Sequence, residues 1–466
     1  MTNAEQGFDV VVSGGGLAGG LTAEGLARQG KRVVVLERSA HPGGRARSQA
    51  QGEHRFNFGP HAIYRKGPMH RALLAAGVPV SGVSPSIGGA RALFADGRLD
   101  ALPLGLGGVL RAEWFSTRDV PDFLRALRAV RNPGRAATAL NETSAAAWMD
   151  SLATRESTRK LLSVMVRLAT YGGDPEVMSA DVAQLQLAAA VGSGVVYVHG
   201  GWQGLADALM ARVQQVGAQL RHARAASLSL GAGGESGAGG SRHRVVDADG
   251  TAYLARDVVF ACAPHVALGL LGDAVPELTA FTRWARPVTM RCVDLGTRGS
   301  AGLPFTLGVD VPFYFSPQRG VQGMGPGGTT NVHAAWYLGA EAPSEAPSEA
   351  GSEASARSAA QESTRDTATR LDEAIARVVP DLADRLLERR VLPRAVVHHA
   401  LPEHAHGGLL GRPACRASVP GVWFAGDWVG PEGHLADAVA SSALSVVRGI
   451  AAPVAASQEG GLRFAS

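Results

Sequence analysis

Residues 9–20 read DVVVSGGGLAGG, and this stretch decides the fold of the chain. Residues 9–13 predict a short buried strand, and residues 17–29 predict a helix that ends at Gly30. A second strand is predicted directly after it, at residues 31–37. Strand, helix and strand in this order predict a βαβ unit, and therefore a parallel sheet with right-handed crossovers.

The turn between the first strand and the helix contains the motif G-x-G-x-x-G as Gly14, Gly16 and Gly19. In a dinucleotide site the first glycine permits a tight turn, the second lets the backbone approach a pyrophosphate, and the third allows close helix packing. Glu37 ends the next strand about twenty residues later, where an acid accepts the ribose hydroxyls of an adenosine. The motif in this context predicts a dinucleotide site; a glycine-rich loop without a ligand is the alternative.

Composition and charge exclude several classes of protein. The 466 residues are 45% apolar and 18% charged, which is typical of a globular chain of two or three domains. The net charge of +4 arises from 45 basic and 41 acidic residues with no dense basic block, so no nucleic-acid partner is expected. Cys262, Cys292 and Cys415 form no CxxC pair, which predicts buried thiols without a disulfide or zinc.

The hydrophobic periodicity changes along the chain. Residues 99–196 are predominantly helical in pattern, with helices predicted at 120–130, 143–153, 155–170 and 179–191. The α/β character then returns, with a helix at 205–216 and strand-like segments at 219–230, 243–248 and 252–261; residues 231–241 are a predicted hairpin loop. A final strand at 421–425, a glycine-rich turn and a helix extending to residue 450 predict that the chain returns to the first domain.

One segment is predicted to lack structure. Residues 341–367 contain the repeat EAPSEAPSEA and few large apolar side chains. Such a segment cannot bury enough apolar surface to offset the entropy of ordering. We therefore expect a disordered insertion there.

Several segments together carry a resemblance to a known family. They are GGGLAGGLTA with VVVLERSAHPGGRARS, FNFGPHAIY at 56–64, GGWQGLADALMARVQQVGAQL at 200–220, VVFACAPH at 258–265 and VWFAGDWVGPEGHLADAVASS at 422–442. Through them most of the chain resembles the FAD-dependent superfamily of amine oxidases, phytoene desaturases and protoporphyrinogen oxidases. Two positions depart from the pattern of the family: Gly20 replaces a usual leucine, and Asn57 replaces a commoner aspartate.

This resemblance implies an α/β fold in which a Rossmann-like FAD-binding domain with a parallel sheet is built from separate parts of the chain. The implied FAD-binding parts are residues 1–98, 197–265 and 401–466. A mixed α+β substrate domain is implied for residues 99–196, its helical lobe, and 266–400, which includes the predicted insertion. The implied cofactor is non-covalent FAD.

The resemblance also implies which residues contact the cofactor. Besides the three glycines of the motif and Glu37, they are Arg38, Gly44, Arg45, Gly59, Pro60, His61, Ala225, Gly426, Asp427, His434, Leu435 and Ala436. Independently of the family, a helix that begins near Leu435 offers free N–H groups and a positive dipole end to a reduced flavin. Asp427 would repel a phosphate, so we expect it to accept a hydrogen bond from a ribitol hydroxyl or a water molecule.

The sequence favours one branch of this chemistry. Many amine-oxidising relatives carry a lysine near the flavin in the second half of the substrate domain, but no lysine follows Lys160 here. The position in the last turn that would be aromatic is His434. We therefore expect an FAD-dependent desaturase or oxidase that removes a hydride from a largely apolar small molecule, with oxygen or another acceptor reoxidising the flavin. An amine oxidase without the lysine and a non-catalytic binding protein on the same scaffold are the alternatives.

Histidines are the candidate catalytic residues. His434 and His61 are expected near the flavin ring, as proton acceptors or as structural contacts, because imidazole titrates near neutrality. The stretch VHHALPEHAHGG at 397–408 has no usual metal-ligand spacing, so no metal is predicted.

Two segments bear on where the protein is located in the cell. The first residues carry no cationic or long apolar leader, which predicts a cytoplasmic protein. Residues 101–130 combine apolar side chains with Arg125, Arg128 and Arg131. This pattern is compatible with peripheral contact with a membrane and equally with core packing of the helical lobe.

Overall fold

The computed structural model describes residues 5–132, 140–231, 242–339 and 352–452. The strands of these residues are β1 (Gln6–Gly7), β2 (Val10–Ser13), β3 (Val33–Glu37), β4 (Ser48–Gln51), β5 (His54–Asn57), β6 (Ile63–Tyr64), β7 (Gly82–Val83), β8 (Arg91–Leu93), β9 (Leu99–Ala101), β10 (Val195–Val198), β11 (Gln219–His222), β12 (Ala225–Ser229), β13 (His243–Asp247), β14 (Ala252–Ala255), β15 (Asp257–Phe260), β16 (Val288–Arg298), β17 (Thr306–Gly308), β18 (Phe313–Pro317), β19 (Thr329–Tyr337), β20 (Leu386–His398) and β21 (Val422–Phe424).

The helices complete the secondary structure of the described residues. They are α1 (Leu17–Ala27), α2 (Pro68–Ala75), α3 (Leu106–Val109), α4 (Val120–Arg131), α5 (Ala145–Leu152), α6 (Glu156–Thr170), α7 (Ala180–Ser193), α8 (Gly201–Gln215), α9 (Pro264–Leu271), α10 (Pro276–Trp284), α11 (Ser352–Val378), α12 (Leu382–Arg385) and α13 (Leu435–Ala451).

A parallel sheet with the order β11-β3-β2-β15-β21 contains the predicted βαβ unit. Its strands are apolar on both faces: Val11 and Val34 pack on one side, and Val10 and Val35 on the other. Helix α1 packs against α8 and α13 on the second side. Strands of a sheet that is covered on both faces have continuous apolar sequences, here runs of valine. The sequence therefore predicts these strands clearly. The predicted α/β fold class is confirmed.

The carboxyl ends of three of these strands bring predicted ligand residues to one edge. The turn Gly14–Gly16 follows β2, Glu37 ends β3, and Asp427 lies shortly after β21. Segments that are far apart in sequence therefore meet at this edge, where open α/β sheets bind their ligands.

Two strand predictions need correction. Residues 219–230 contain two strands that belong to different sheets, because β11 joins the parallel sheet and β12 pairs antiparallel with β13. Residues 252–261 divide in the same way into β14 and β15. The predicted hairpin connection between β12 and β13 falls largely on residues outside the described part of the chain.

A mixed sheet with the order β20-β16-β19-β18-β17-β8-β9 forms the second layer. It includes β8 at residues 91–93, so the chain enters this sheet before residue 98. Alternate residues of its central strands face opposite sides: Tyr337 and Ala335 of β19 pack in one core cluster, and Trp336 and Ala334 in another. We call the side of Tyr337 the chamber face of this sheet.

The helical lobe is confirmed as α4, α5, α6 and α7, which share one apolar cluster. In the stretch 101–130, Leu102 and Phe115 are buried, whereas Leu110 and Leu124 are 69% and 50% exposed. Core packing thus explains part of this stretch, and peripheral membrane contact through its exposed part stays a prediction. None of the helices in the described residues is both long and apolar enough to span a membrane.

The predicted disorder of residues 341–367 is wrong for residues 352–367, which belong to helix α11. Leu371, Ile375 and Val378 on the last turns of this helix are buried against the side of the mixed sheet opposite the chamber face. Alanine, glutamate and arginine favour helix strongly, and this anchored end lets the helix extend into the polar segment. Residues 340–351 lie outside the described part of the chain.

Candidate active site

The glycine turn after β2 has the geometry that a nucleotide needs. Gly14 has φ +114°, and a Cβ there would lie 2.5 Å from the carbonyl oxygen of Ala261. A Cβ on Gly19 would collide with the carbonyl oxygen of Gly14, so helix and turn are in direct backbone contact. Gly16 differs, because a Cβ there would meet nothing closer than the carbonyl oxygen of Gly43 at 3.9 Å. The motif therefore forms a tight turn with one open side.

The open side faces unsatisfied donors. Helix α1 begins after Gly16 without a side-chain cap, which leaves the N–H groups of its first turn available. Gly43 and Gly44, both at positive φ, run beside Gly16 through a parallel bridge. An anionic pyrophosphate fits such a cradle of backbone N–H groups. The turn thus fits the dinucleotide that the sequence predicts.

The adenosine end of the site is at Glu37. Its Oε2 accepts a hydrogen bond from the N–H of Gly15 at 2.7 Å, and its Oε1 accepts one from the N–H of Ser39 at 2.7 Å. The N–H of Ala223 donates to the carbonyl oxygen of Glu37 at 2.9 Å, which brings Ala225 at the start of β12 to the same end. Arg38 follows directly, so the predicted residues Glu37, Arg38 and Ala225 are brought together.

Asp427 lies between two hydrogen-bonding partners, of which Arg45 is the charged one. Its Oδ2 accepts from Arg45 Nη1 at 2.6 Å and from the N–H of His399 at 3.0 Å, and its Oδ1 lies 2.9 Å from His399 Nδ1. Burial alone would raise the pKa of this carboxyl, but Arg45 and His399 hold it well below its usual range. The carboxylate that would repel a phosphate is therefore neutralised by residues of the chain, and its predicted hydrogen bond to ribitol stays a prediction.

The segment 56–64 places the predicted residues Gly59, Pro60 and His61 opposite α8. The Nδ1 of His61 lies 2.9 Å from the carbonyl oxygen of Gly59, and its ring contacts the indole of Trp202 with centroids 4.8 Å apart. Burial lowers the pKa of His61 to about 4. This imidazole is therefore neutral near neutral pH.

The last turn before α13 is held by a buried arginine. Arg412 donates to the carbonyl oxygens of Asp427 at 3.0 Å and Gly433 at 2.7 Å. His434 precedes α13, and Leu435 follows with φ +51°, a left-handed conformation that costs energy for a leucine. Strained residues of this kind cluster at ligand sites. Ala436 follows within the first turn of the same helix.

His434 contacts two other parts of the chain. Its ring meets that of His398 edge to face with centroids 4.6 Å apart, and its Nε2 lies 3.4 Å from the carbonyl oxygen of Thr170. Burial lowers the pKa of His434 well below its usual value and that of His398 to about 3. Both rings are therefore neutral hydrogen-bonding groups in the folded protein near neutral pH.

Beside these residues lies a group of tyrosines that the sequence analysis missed. We call it the tyrosine cluster; of the six tyrosines in the chain it contains Tyr64, Tyr171, Tyr197, Tyr314 and Tyr337. The ring of Tyr171 lies 6.5 Å from those of Tyr314 and Tyr337, and the hydroxyl of Tyr197 lies 3.4 Å from that of Tyr314.

Two sequence connections and one packing contact join the tyrosine cluster to the predicted flavin residues. Tyr64 belongs to the segment 56–64 itself, and Thr170, which contacts His434, directly precedes Tyr171. A Cβ on Gly59 would lie 3.5 Å from the Sγ of Cys292, which packs with Tyr337 on the chamber face. Burial raises the pKa of Tyr64 and Tyr171, yet both keep part of their accessible surface. These two rings are therefore the partly accessible members of the tyrosine cluster.

Two pockets open on the surface of the described residues. One of about 310 Å³ lies between α2, α7 and α13, bordered by Tyr64 of the cluster and Gly433 of the last turn. Another of about 470 Å³ is lined by Gly30, Arg32 and Gln219 at the amino ends of the parallel strands. The second lies at the edge of the sheet opposite the glycine turn, so only the first borders the candidate site.

The histidine-rich stretch does not form a metal site within the described residues, which contain no group of three or more His, Cys, Asp or Glu arranged for a metal ion. Its members have separate contacts. His398 meets His434, His399 pairs with Asp427, and His406 stacks on Trp284 with ring centroids 4.1 Å apart.

Sequence reasoning missed Trp202, Arg412, the pairing of His399 with Asp427 and the tyrosine cluster. Within residues 329–337 the polar Asn331 and His333 fall on the same strand face as Tyr337, and this was the available signal for a substrate-side residue. The other tyrosines are distributed over helices and strands far apart in sequence. Their meeting depends on the packing of the mixed sheet against α6, which no local pattern predicts.

Comparison with protein families gives one match across most of the chain. A family model described as flavin containing amine oxidoreductase matches residues 17–450. The matched residues include every predicted cofactor contact except Gly14 and Gly16, which lie just before the match begins. No curated protein sequence matches the chain significantly.

Solved structures share the fold at low sequence identity. An oxidoreductase from Methanosarcina mazei has a TM-score of 0.67 at 18% identity, covering 94% of this chain and 100% of its own. Cyclohexylamine oxidase from Brevibacterium oxydans has a TM-score of 0.64 at 17% identity, covering 95% and 99%. Putrescine oxidase, solved bound to putrescine, has a TM-score of 0.66 at 14% identity, covering 96% and 100%. At these identities the likeness establishes the fold.

Proposed function

The chain belongs to the flavin-containing amine oxidoreductase family, and from this premise we propose that it dehydrogenates a neutral, largely apolar small molecule. The protein is an FAD-dependent oxidoreductase; the choice of substrate and the formation of a double bond in it are our proposal. When bound, the flavin supplies the acceptor for a hydride equivalent. In this proposal oxygen or another acceptor would reoxidise it, and the contact between cofactor and chain would be non-covalent.

The residues of the site fit the cofactor. Gly16, Gly44 and the first turn of α1 offer backbone N–H groups to the pyrophosphate, and Glu37 offers a carboxylate to the adenosine ribose. His61, Trp202 and the turn before α13 would hold the ring end. The thiol nearest the ring segment is Cys292, and burial raises its pKa well above the usual value. Such a thiol is a poor nucleophile, which supports the non-covalent contact.

The observation that carries the substrate proposal is the charge of the tyrosine cluster. Among the described residues, no hydrogen bond joins Tyr171, Tyr197, Tyr314 or Tyr337 to a carboxylate. The charged group beside them is Arg167, which lies 5.8 Å from the ring centroid of Tyr337 and donates to the carbonyl oxygens of Gly308 and Val309. Arg167 is half-buried, and Asp310, the carboxylate that acts on it, is exposed. A partly buried cation beside the cluster disfavours an ammonium substrate and favours a neutral one.

A second candidate, amine oxidation without the usual lysine, has one observation in its favour. The same tyrosine rings present negative faces, and a cluster of aromatic faces attracts alkylammonium groups. Putrescine and cyclohexylamine oxidases share the fold. Under this candidate the amine would have to bind in spite of Arg167.

The test is an anaerobic screen of neutral apolar compounds and of amines, read by bleaching of the visible flavin band. We expect bleaching by a neutral compound and a product lighter by two hydrogens. Bleaching by amines alone, with release of ammonia after reoxidation, would replace the proposal by the second candidate. Acid precipitation separately tests the cofactor contact: a yellow supernatant over a colourless pellet is expected, and a yellow pellet would show a covalent link.

A further inference from the structure

Four polar side chains form a row across the chamber face of the mixed sheet. Ser316 of β18 is the register partner of His333 in β19, His333 is that of Asp294 in β16, and Asp294 is that of Arg390 in β20. All four are buried, at 0 to 6% exposure. We call these residues the polar row.

Asp294 holds the polar row together. Its Oδ1 lies 2.5 Å from His333 Nδ1, and its Oδ2 accepts from Arg390 Nε at 3.0 Å and Nη2 at 2.5 Å. A buried carboxylate is tolerated because it is paired and because both of its oxygens accept hydrogen bonds.

The two ends of the polar row reach the two halves of the candidate site. Arg390 donates to the carbonyl oxygens of Phe56 and Asn57, and its guanidinium lies over the rings of Phe56 and Phe58 at 5.2 and 5.4 Å. It thereby fixes the segment that leads to Gly59. At the other end, the hydroxyl of Ser316 lies 2.8 Å from that of Tyr197 in the tyrosine cluster.

His333 has one nitrogen without a partner inside this network. A carboxylate accepts hydrogen bonds, so in a neutral His333 imidazole the contact with Asp294 places the proton on Nδ1 and leaves a lone pair on Nε2. The Nε2 atom is buried and has no hydrogen-bond partner among the described residues. A buried acceptor without a partner is unfavourable, so a ligand donor that reaches it is stabilised. His333 faces the same side as Ala335 and Tyr337, two and four residues later in β19.

We propose that His333 is a substrate-binding residue whose Nε2 accepts a hydrogen bond from an O–H or N–H group of the substrate. The inference rests on the proposed function, because it takes the tyrosine cluster as the substrate chamber. It narrows the substrate class to an apolar molecule that carries a hydrogen-bond donor. Asp294 is then a positioning residue, which fixes the tautomer of His333.

The first test needs no ligand and no turnover. In the ¹⁵N-histidine-labelled holoenzyme, the signal of His333, assigned by its loss in His333→Gln, should show a protonated Nδ1 and an unprotonated Nε2. A protonated Nε2 would overturn the proposal, because the nitrogen could then not accept a hydrogen bond.

The second test compares benzyl alcohol with toluene, which share a ring and differ in the donor. By calorimetric titration of the holoenzyme, the ratio of the toluene to the benzyl alcohol dissociation constant should fall about five- to tenfold in His333→Leu, the worth of one neutral hydrogen bond. His333→Gln, which keeps an acceptor, should restore part of the ratio. An unchanged ratio in His333→Leu, or binding of neither probe to the wild type, would overturn the proposal.

His54→Leu is the matched control. His54 is also a buried histidine whose Nε2 has no partner among the described residues. Its Nδ1 lies 2.6 Å from Asn331 Oδ1, and Asn331 precedes His333 by two residues in β19, so it lies farther along the strand from Tyr337. Its loss should leave the ratio of the two constants unchanged. Both tests are independent of catalysis, so failure to find a substrate that bleaches the flavin would count against the proposed function and leave these results standing.

Discussion

The two large sheets of this protein build their parts of the site in opposite ways. The parallel sheet is apolar throughout its central strands, and its ligand contacts come from turns beyond the carboxyl ends of those strands. The mixed sheet contributes side chains from the middle of its strands, including the polar row and two members of the tyrosine cluster. Backbone groups bind the pyrophosphate, which all dinucleotides share, whereas side chains on a sheet face determine which substrate fits.

The contrast has an energetic consequence. A change in a turn of the parallel sheet should affect cofactor binding and leave the apolar core intact. A change in the polar row should instead destabilise the fold, because it leaves a charge buried without its partner. Substitutions in the two sheets therefore test this difference. Those in the turns of the parallel sheet should weaken FAD binding, and those in the polar row should lower the free energy of unfolding.

The largest effect is expected for Asp294→Ala in the mixed sheet. It leaves the Arg390 guanidinium, 6% exposed as a side chain, without its carboxylate. Breaking a buried pair in this way costs about 3 to 5 kcal/mol, which should appear as a lower free energy of unfolding in urea titrations.

Two variants control this prediction. The exposed pair of Asp9 and Arg32, at the edge of the parallel sheet, should cost less than about 1 kcal/mol when Asp9 is replaced by alanine. Replacing both members of the buried pair, as Asp294→Leu with Arg390→Met, should recover part of the loss, because His333 Nδ1 still lacks its acceptor. A loss in Asp294→Ala no larger than in Asp9→Ala would contradict our account of the polar row.

Gly14→Ala tests the parallel sheet. The added Cβ meets the carbonyl oxygen of Ala261 at 2.5 Å in a backbone conformation of φ +114°. The turn must shift, and we expect FAD to bind at least about a hundredfold more weakly, a loss of about 2.7 kcal/mol. Gly30→Ala is the matched control, because Gly30 also has a positive φ, +81°, but a Cβ there meets nothing within 4 Å. It should lose about 1 kcal/mol of stability and keep its FAD.

His398→Gln tests the boundary between the two sheets through pH. Burial lowers the pKa of His398 from 6.5 to about 3, so the unfolded chain binds this proton first as the pH falls. Folding stability therefore decreases as the pH falls below 6.5, by at most about 1.4 kcal/mol per pH unit for this residue. The stability advantage of the wild type over His398→Gln should shrink by about 1.6 kcal/mol between pH 6.5 and pH 5.

Urea unfolding of the holoenzyme at both pH values measures this difference. His41→Gln, a substitution at an exposed histidine, is the control for the chemistry of the change. A constant difference between wild type and His398→Gln across this range would show that His398 is not held neutral by burial.

The parallel sheet was largely predictable from sequence because its signals are local. Continuous valine runs mark β2 and β3, and the spacing of Gly14, Gly16 and Gly19 defines the turn between β2 and α1. The boundaries that failed are those where one extended segment divides between two sheets, as at β14 and β15. An extended segment gives the same local pattern whichever sheet it joins.

The chamber face was not predictable for the opposite reason. Asp294 lies 39 residues from His333 and 96 from Arg390, and they meet only through strand register. The error at α11 has a different origin. Leu371, Ile375 and Val378 have helical spacing, but the predicted insertion ended before them, so its polar composition was judged without the buried turn that anchors it.

The smallest effect is expected at His434, which lies between the parallel sheet and the tyrosine cluster. This residue lies in the turn after the parallel sheet, and its Nε2 lies 3.4 Å from the carbonyl oxygen of Thr170 beside the tyrosine cluster. Burial lowers the pKa of His434 well below its usual value, so near neutral pH it is a neutral imidazole and a weak proton acceptor. If it only positions the turn, His434→Ala should slow flavin reduction by less than about tenfold, whereas loss of a general acid or base costs about a hundredfold or more. Stopped-flow reduction by the substrate found in the anaerobic screen measures this rate, after the flavin content of the variant has been determined.

The contacts of Gly14, Gly16 and Glu37 are unchanged by the substitution, so FAD should remain bound. A hundredfold slower reduction at full flavin occupancy would make His434 a catalytic residue, and loss of FAD would show that the turn of the parallel sheet depends on this side chain as much as on its backbone.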